Sequence, residues 1–170
     1  MISVKGILTN LMLLLVFTVS SQEVACSCCS ENHKDFDFWL GSWSVTNADG
    51  SKAGTNTITK DQDNCILREN WVSATAGYTG ASVNFYNLKT AQWEQLWIDN
   101  SGNHLKLKGN RVGNRMIMSS DEFKNEDGKL YLNRITWTLN DDGTVRQLWE
   151  VLHNEKAVNV LFDGLYTPIK

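Results

Sequence analysis

Tryptophans and polar side chains lie two residues apart in several strand-length segments, and this pattern constrains the fold most strongly. Because side chains in a β-strand alternate between the two faces of a sheet, residues two apart point to the same side. Inward-facing tryptophans would therefore bring polar neighbours inside, where an unpartnered polar group is costly. A closed apolar core would not favour such neighbours, whereas a barrel lumen that holds water or a polar ligand would. The sets are Glu69 and Trp71; Ser82, Asn84 and Tyr86; Trp93, Gln95, Trp97 and Asp99; and Gln147 and Trp149.

Strand-like segments follow one another along the chain and are separated by turn dipeptides. They are rich in Trp, Val, Ile, Thr and Tyr, and pairs such as Asp49-Gly50 and Ser101-Gly102 accept the positive φ of tight hairpins. Apart from one helical turn within 35–40, no segment has a helical period. The sequence therefore predicts an all-β protein, an antiparallel meander of about ten strands closed into a barrel. The predicted strands are 42–47, 54–59, 65–73, 81–87, 92–99, 104–108, 115–119, 129–139, 145–152 and 157–166.

The first residues have the order of a secretory signal peptide. Lys5 precedes an apolar run over 6–19, and small residues follow up to Ser21. Because the run is shorter than the ~20 residues of a membrane-spanning helix, cleavage after Ser21 is predicted in place of a membrane anchor. The predicted location is secreted or periplasmic, with no stable membrane span. The predicted organisation is a signal peptide over 1–21, a cysteine-containing leader over 22–34 and a β-barrel domain over 35–170.

Four cysteines in a chain that is predicted to be exported indicate disulfides. Adjacent Cys28 and Cys29 are poorly placed to bond to each other, so the expected bridge joins the cluster of Cys26, Cys28 and Cys29 to Cys65. The spacing does not determine which cysteine of the cluster is the partner. Two alternatives stay open: lipid modification of Cys26, which ends a lipobox-like stretch, and a soft metal ion held by the cluster.

The segment over 35–45, DFDFWLGSWSV, resembles the opening of calycin-type barrels, in which Gly-x-Trp begins the first strand; here the motif is Gly41-Ser42-Trp43. Further stretches are CILRENW at 65–71, SVNFY at 82–86, WEQLWID at 93–99, RITW at 134–137, RQLWE at 146–150 and FDGLY at 162–166. Through them the chain is similar to a group of bacterial exported proteins of unknown function with a calycin-like barrel. Lipocalins, fatty-acid-binding proteins and haem-binding nitrobindins share that architecture with different ligands, so the resemblance implies a fold more than a function.

Two absences distinguish the chain from those relatives. Lipocalins place an arginine on the last strand, over the tryptophan of Gly-x-Trp, and the predicted last strand, 157–166, contains none. Haem-binding nitrobindins use an axial histidine near the carboxyl end, and the same strand contains no histidine. The resemblance therefore implies neither a lipocalin proper nor ordinary haem ligation, and no cofactor or resident metal is predicted.

Charge and motif content argue against several classes of function. The formal net charge at pH 7 is −3, and loss of Lys5 makes it one unit more negative, so neither nucleic acid nor an anionic membrane is a predicted partner. His33, His104 and His153 are predicted to be exposed in loops. Common hydrolase and nucleotide-binding motifs do not occur in the sequence.

Two carboxylates belong to the tryptophan-bearing faces. Glu69 and Asp99 in an apolar lumen would have raised pKa values, which suit a general base. The favoured interpretation is that each pairs with a cation, with Arg134 and Arg146 as the expected partners. Whether the protein is an enzyme therefore stays open.

The favoured function is binding of a small amphipathic or aromatic molecule in the lumen of a monomeric barrel. The alternatives are a small-molecule isomerase, cyclase or hydrolase that uses a lumen carboxylate, and an interaction, metal or redox protein that acts through its leader. If water solvates Gln95 in the empty lumen, Gln95→Leu should weaken ligand binding more than folding. The candidate ligand-binding residues are Glu69, Trp71, Ser82, Asn84, Tyr86, Trp93, Gln95, Trp97, Gln147 and Trp149.

Overall fold

The chain forms a closed antiparallel β-barrel, which confirms the predicted fold class. The computed structural model describes residues 26–169, so the predicted signal peptide lies outside the described residues. A short helix, α1, spans Glu31–Lys34, and a 3-10 turn follows at Asp37–Trp39. The strands are β1 (Gly41–Asn47), β2 (Lys52–Asp61), β3 (Ile66–Ser73), β4 (Thr79–Asn87), β5 (Gln92–Asp99), β6 (His104–Val112), β7 (Arg115–Ser119), β8 (Phe123–Lys124), β9 (Leu130–Leu139), β10 (Val145–His153) and β11 (Lys156–Pro168).

Neighbouring strands of the barrel are mostly neighbours in sequence. The order is β10-β11-β1-β2-β3-β4-β5-β6-β7-β9, and an additional pairing of β10 with β9 closes the ring. The short strand β8 pairs only with the start of β9, at Tyr131 and Leu130, and was not predicted. Closure leaves these ten strands without a free edge, which removes the usual site of edge-to-edge association.

The predicted turn residues take the conformations that tight hairpins need. Gly50 and Gly102, in the β1–β2 and β5–β6 turns, have φ of 84° and 86°. Asp63 and Asn64, in the β2–β3 turn, also have positive φ, at 52° and 72°. Asn and Asp tolerate positive φ better than most other residues with a side chain do. The residues in these turns therefore suit the tight connections between paired strands.

One disulfide ties the leader to the barrel, and a second lies within the leader. Cys28 bonds to Cys65 beside the β2–β3 turn, which confirms the predicted bridge, and Cys26 bonds to Cys29. Since both bridges consume their thiols, the alternatives of a lipid on Cys26 and a metal on the cysteine cluster are wrong for this oxidised form. Within residues 26–169, no helix is long and apolar enough to cross a membrane.

His33 is buried, and its prediction as an exposed loop residue is wrong. It lies in α1, which the sequence did not predict, and its side chain is 3% exposed. Its Nδ1 atom is 2.7 Å from Ser30 Oγ, and its ring packs edge-on against Tyr86, with the centroids 5.4 Å apart. The leader is therefore packed onto β4. His104 is exposed, as predicted, and His153 is half-buried.

Aromatic side chains from the segment before β1 close one end of the barrel. Phe36 and Trp39 are fully buried, and their rings stack with centroids 4.9 Å apart. Phe36 also meets Trp137 of β9 edge-on at 5.1 Å. Trp43 donates its indole N–H to the carbonyl of Trp39 at 2.9 Å, which fixes this plug to β1. The sealed end leaves the opposite end of the lumen as the way in.

Candidate functional site

A cavity of about 340 Å³ occupies the other end of the lumen. Strand β2 shows the geometry: it begins at Lys52, which lines the cavity, and its other end carries Lys60, whose ammonium pairs with Asp37 of the closed end at 2.8 Å. The lining residues are Asn47, Lys52, Ala53, Glu69, Trp71, Ser73, Ala74, Thr75, Tyr78, Gln95, Trp97, Leu105, Ile135, Trp137, Gln147, Trp149, Leu161, Phe162 and Tyr166.

Glycines on the wall make room for aromatic rings of this cavity. Carbon atoms in ordinary contact are about 3.5–4.0 Å apart, so a side chain at these glycines would collide with the ring beside it. Each ring therefore lies directly against the backbone, and the lumen is wider than its aromatic content suggests. A Cβ would lie 2.7 Å from Trp71 Cη2 at Gly54, 2.9 Å from Trp97 Cζ2 at Gly80 and 2.5 Å from the Phe162 ring at Gly164.

The aromatic lining is organised as two edge-to-face pairs. Trp71 and Phe162 have ring centroids 6.2 Å apart, and Trp97 and Trp149 have centroids 6.3 Å apart. This geometry is favourable for aromatic quadrupoles. Trp149 is oriented further by a hydrogen bond from its indole N–H to Asn133 Oδ1 at 2.8 Å. The walls of the cavity are thus held in place before any ligand arrives.

A chain of polar side chains crosses four adjacent strands beneath these rings. Asn56 on β2 and Ser82 on β4 each donate to a different oxygen of Glu69 on β3, at 2.7 Å in both cases. Asn84 donates to Ser82 Oγ at 2.9 Å, and Gln95 on β5 donates to Asn84 Oδ1 at 2.7 Å. All five side chains are buried. The polar members of the predicted inward faces therefore partner one another, which offsets their desolvation.

Further polar atoms lie on the other side of this chain of polar side chains and complete the site. Tyr166 donates its hydroxyl hydrogen to Gln147 Oε1, and the same hydroxyl oxygen lies 3.5 Å from the Asn56 amide nitrogen. Trp137 lines the cavity, is 1% exposed, and its indole N–H has no hydrogen-bond partner within residues 26–169. In the same part of the chain, the buried Oδ1 atom of Asn56 also has no partner. A buried unpartnered donor or acceptor costs about 1–3 kcal/mol, so both groups would gain from a partner.

Burial dominates the titration of the two acidic groups in the lumen. It raises the pKa of Glu69 above its ordinary value, and the hydrogen bonds from Ser82 and Asn56 oppose that rise. Burial, with the nearby charge of Glu69, also raises the pKa of Tyr166 well above its ordinary value. Tyr166 is therefore a neutral hydroxyl across the physiological range.

The predicted inward faces point inward, although their residues do not all reach the cavity. Ser82 and Asn84 lie in the polar chain beneath it. Tyr86 and Trp93 lie at the closed end, where Asn32 donates to the Tyr86 hydroxyl at 3.1 Å and Trp93 donates to the carbonyl of Asn32 at 3.0 Å. The candidates that line the cavity are Glu69, Trp71, Gln95, Trp97, Gln147 and Trp149.

Asp99 does not face an apolar pocket with a raised pKa. Its Oδ1 atom accepts the backbone N–H groups of Ser101 and Asn103, both at 2.9 Å, and so caps the β5–β6 turn. Hydrogen bonding, chiefly from the side chain of Asn103, lowers the pKa of Asp99. Asp99 does lie on the inward face, as strand alternation predicts. However, β5 ends at this residue, and its carboxylate accepts hydrogen bonds from the turn.

The predicted arginine partners of the lumen carboxylates are also wrong. Arg134 pairs with Glu150 at 3.3 Å, and Arg146 pairs with Asp163 at 2.7 Å. Arg134 and Arg146 point to the outer face of the barrel, because their strand neighbours Ile135 and Val145 are the buried residues. The physical reason is the period of two: neither arginine has the parity of the inward positions on its strand.

Several residues of the cavity and of the polar chain beneath it were missed because they lack a tryptophan–polar pair. Asn56 lies on the same face of β2 as Gly54 and Ile58, and Trp137 lies on the same face of β9 as Ile135. Strand alternation alone would therefore have placed both side chains inside. Phe162 and Tyr166 share a parity on β11 and belong to the FDGLY stretch. By contrast, Tyr78 precedes β4 and reaches the mouth from a loop, where no periodic signal exists.

No protein-family model matches the chain, and no curated protein matches it significantly. Within residues 26–169, no cluster of three or more His, Cys, Asp or Glu side chains is arranged to hold a metal ion.

Proposed function

We propose that this protein is exported and binds a small aromatic or amphipathic molecule in the lumen of its barrel. The observation that supports the proposal most directly is the cavity of about 340 Å³, which combines aromatic walls with the polar groups of Glu69, Gln95 and Gln147. Ligand sites of this kind are concave and mostly apolar, with a few placed polar groups that fix orientation.

The volume and the lining favour a compact ligand. Small-molecule pockets span roughly 300–1,000 Å³, so this cavity is near the lower end of the range. Its lining combines indole and phenyl rings with the aliphatic side chains of Leu105, Ile135 and Leu161, and is less aliphatic than a site for a long fatty-acid chain would be. The unpartnered N–H of Trp137 supports a ligand that also carries a hydrogen-bond acceptor. A single ring with one or two polar substituents fits these properties.

The two disulfides support export to an oxidising compartment, where such bonds persist. They also argue against a thiolate metal site in the leader of this oxidised form, because all four cysteines are bonded. Turnover at Glu69 is a separate alternative. Both of its carboxylate oxygens already accept hydrogen bonds, from Asn56 and Ser82, which favours recognition over proton abstraction.

Native mass spectrometry of protein purified from its source tests the proposal. We expect a population whose mass exceeds that of the polypeptide by one small molecule, and loss of that mass when the barrel is unfolded. The same spectrum reports the oligomeric state, for which we propose a monomer. A spectrum with the bare polypeptide alone, together with no change in tryptophan fluorescence on titration with small aromatic compounds, would contradict lumen binding.

A further inference from the structure

Glu69 is a buried carboxylate without a cation. It is 5% exposed, and its partners, Asn56 and Ser82, are both neutral. Within residues 26–169, no lysine, arginine or histidine nitrogen lies within salt-bridge distance of it. A buried charge normally has a counter-ion, because hydrogen bonds to neutral groups compensate only part of its lost hydration.

Three partly buried carboxylates of the barrel contrast with Glu69 because each pairs with a cation. Asp37 pairs with Lys60 at 2.8 Å, Glu150 pairs with Arg134, and Asp163 pairs with Arg146. Those three acids are all more exposed than Glu69. The most deeply buried of these four carboxylates is thus the one that lacks a positive partner, and it is the one that lines the cavity. Asp99, which is 7% exposed, also has only neutral partners, but its carboxylate caps the β5–β6 turn and does not line the cavity.

The remaining lining suits a positive charge. Trp71, Trp97 and Trp149 line the same cavity as Glu69, and indole is the aromatic group that attracts cations most strongly. A cation that enters the cavity would lose water of hydration and gain contacts with the Glu69 carboxylate and with the faces of these indole rings. An anionic ligand would meet the Glu69 carboxylate, while Lys52, which also lines the cavity, is exposed at the start of β2 and does not pair with that carboxylate.

We infer, on the basis of the proposed function, that the cavity takes an organic cation, an aromatic or apolar molecule with an ammonium or amidinium group that donates to Glu69. In this arrangement the ligand supplies the counter-ion that the barrel does not. The aromatic body of the ligand packs against the indoles, and the charged group fixes its orientation.

Proton linkage gives this inference a signature. Burial raises the pKa of Glu69, so a cationic ligand must favour the ionised form and release the proton where the acid was neutral. The affinity for a cation should therefore rise with pH through that pKa. The other titratable groups facing the cavity are Tyr166 from β11, Tyr78 from the loop before β4 and Lys52 from β2. Burial raises the pKa values of both tyrosines above their ordinary value, so neither changes charge between about pH 4 and about pH 8.

Three probes of similar size separate the possibilities: 2-phenylethylamine, which is cationic, 2-phenylethanol, which is neutral, and 3-phenylpropionate, which is anionic. Titrations followed by tryptophan fluorescence at about pH 8 should show the amine binding about tenfold or more tightly than the alcohol. Lowering the pH to about 4 should weaken binding of the amine and leave the affinity for the alcohol unchanged. The amine itself stays protonated over this range, so the change reports the carboxylate.

Two variants locate the effect. Glu69→Gln should remove the preference for the amine and leave the affinity for the alcohol within about threefold. Glu122→Gln removes the same charge from an exposed loop and should change neither affinity. Equal binding of amine and alcohol, or tightest binding of the phenylpropionate, would overturn the inference while supporting lumen binding. If none of the three probes binds, the proposed function itself fails for ligands of this size.

Discussion

The indole of Trp97 lies so close to Gly80 that a Cβ at position 80 would be 2.9 Å from its Nε1 atom. Strands β4 and β5 pair there, with Gly80 opposite Asp99 and Ser82 opposite Trp97, so the ring extends along its neighbour's backbone. Because Gly80 has no side chain, the Trp97 indole can lie directly against the wall of the barrel. The width of the cavity is therefore set by glycine as much as by tryptophan.

Gly80→Ala is expected to narrow the cavity. The nearest atoms to the added methyl group all belong to the Trp97 side chain, which can move toward the lumen. The free energy of unfolding should fall by about 1 kcal/mol, and the affinity for 2-phenylethanol should fall about threefold to tenfold, equivalent to about 1 kcal/mol. Fluorescence titration and urea unfolding measure the two effects. Unchanged affinity would show that Trp97 does not border the bound ligand.

Gly109→Ala is the matched control. At this position the added methyl group would collide with the carbonyl of Ile117 and would lie 2.8 Å from the Cα of Met118. Because both obstacles are backbone of β7, the strands themselves must separate. We expect a loss of about 3 kcal/mol of stability and no change in the affinity of the molecules that remain folded.

Gln95→Leu is expected to destabilise the barrel. The sequence predicted a water-solvated amide, whose loss would chiefly weaken ligand binding, but Gln95 donates to Asn84 Oδ1 at 2.7 Å and Asn84 is fully buried. Loss of that donor leaves a buried acceptor without its partner, so the free energy of unfolding should fall by about 1–3 kcal/mol. Gln92→Leu on the same strand makes the same chemical change at an outward position and should alter stability by less than about 0.5 kcal/mol.

The strands could be predicted because each carries its own evidence. The alternation of Trp93, Gln95 and Trp97 records which face is inside, and a residue pair such as Asp49-Gly50 marks where a strand must end. Both signals are local, so a single sequence contains them. Closure of the barrel follows from a meander of hairpins without crossover helices.

The partners of the inward polar groups could not be predicted in the same way. Glu69 meets Asn56 and Ser82 because of the register between β2, β3 and β4, and strand periodicity does not fix that register. The closed end is another example, since Phe36 and Trp39 seal the lumen from a segment with only one helical turn. Both features depend on contacts between distant parts of the chain.

The Cys28–Cys65 bond should contribute more stability than the Cys26–Cys29 bond. The two bridges close sequence separations of 37 and 3 residues. In the chain-entropy account, their removal costs about 4 and about 1.5 kcal/mol respectively. Thermal melting of Cys28→Ser/Cys65→Ser and Cys26→Ser/Cys29→Ser double variants, compared with the parent protein, should show the larger decrease in Tm for the first. Equal decreases would mean that the longer loop is already restricted in the unfolded chain.

Glu69→Gln should change the pH dependence of stability in a defined direction. Burial raises the pKa of Glu69 above its ordinary value of 4.5, so the folded protein holds this proton more tightly than the unfolded chain does. Stability from that difference is fully present below 4.5 and is lost as pH rises through the raised pKa.

The Glu69→Gln variant has no such loss, and the unpartnered Asn56 Oδ1 can accept the new amide N–H if the Asn56 side chain turns over. The unfolding free energy of the variant minus that of the parent, measured in urea from about pH 4 to about pH 8, should therefore increase with pH. Acids with lowered pKa values, such as Asp99 and Asp163, titrate in both proteins and cancel in the difference. A difference that stays constant over this range would show that Glu69 ionises in the folded barrel as easily as in the unfolded chain.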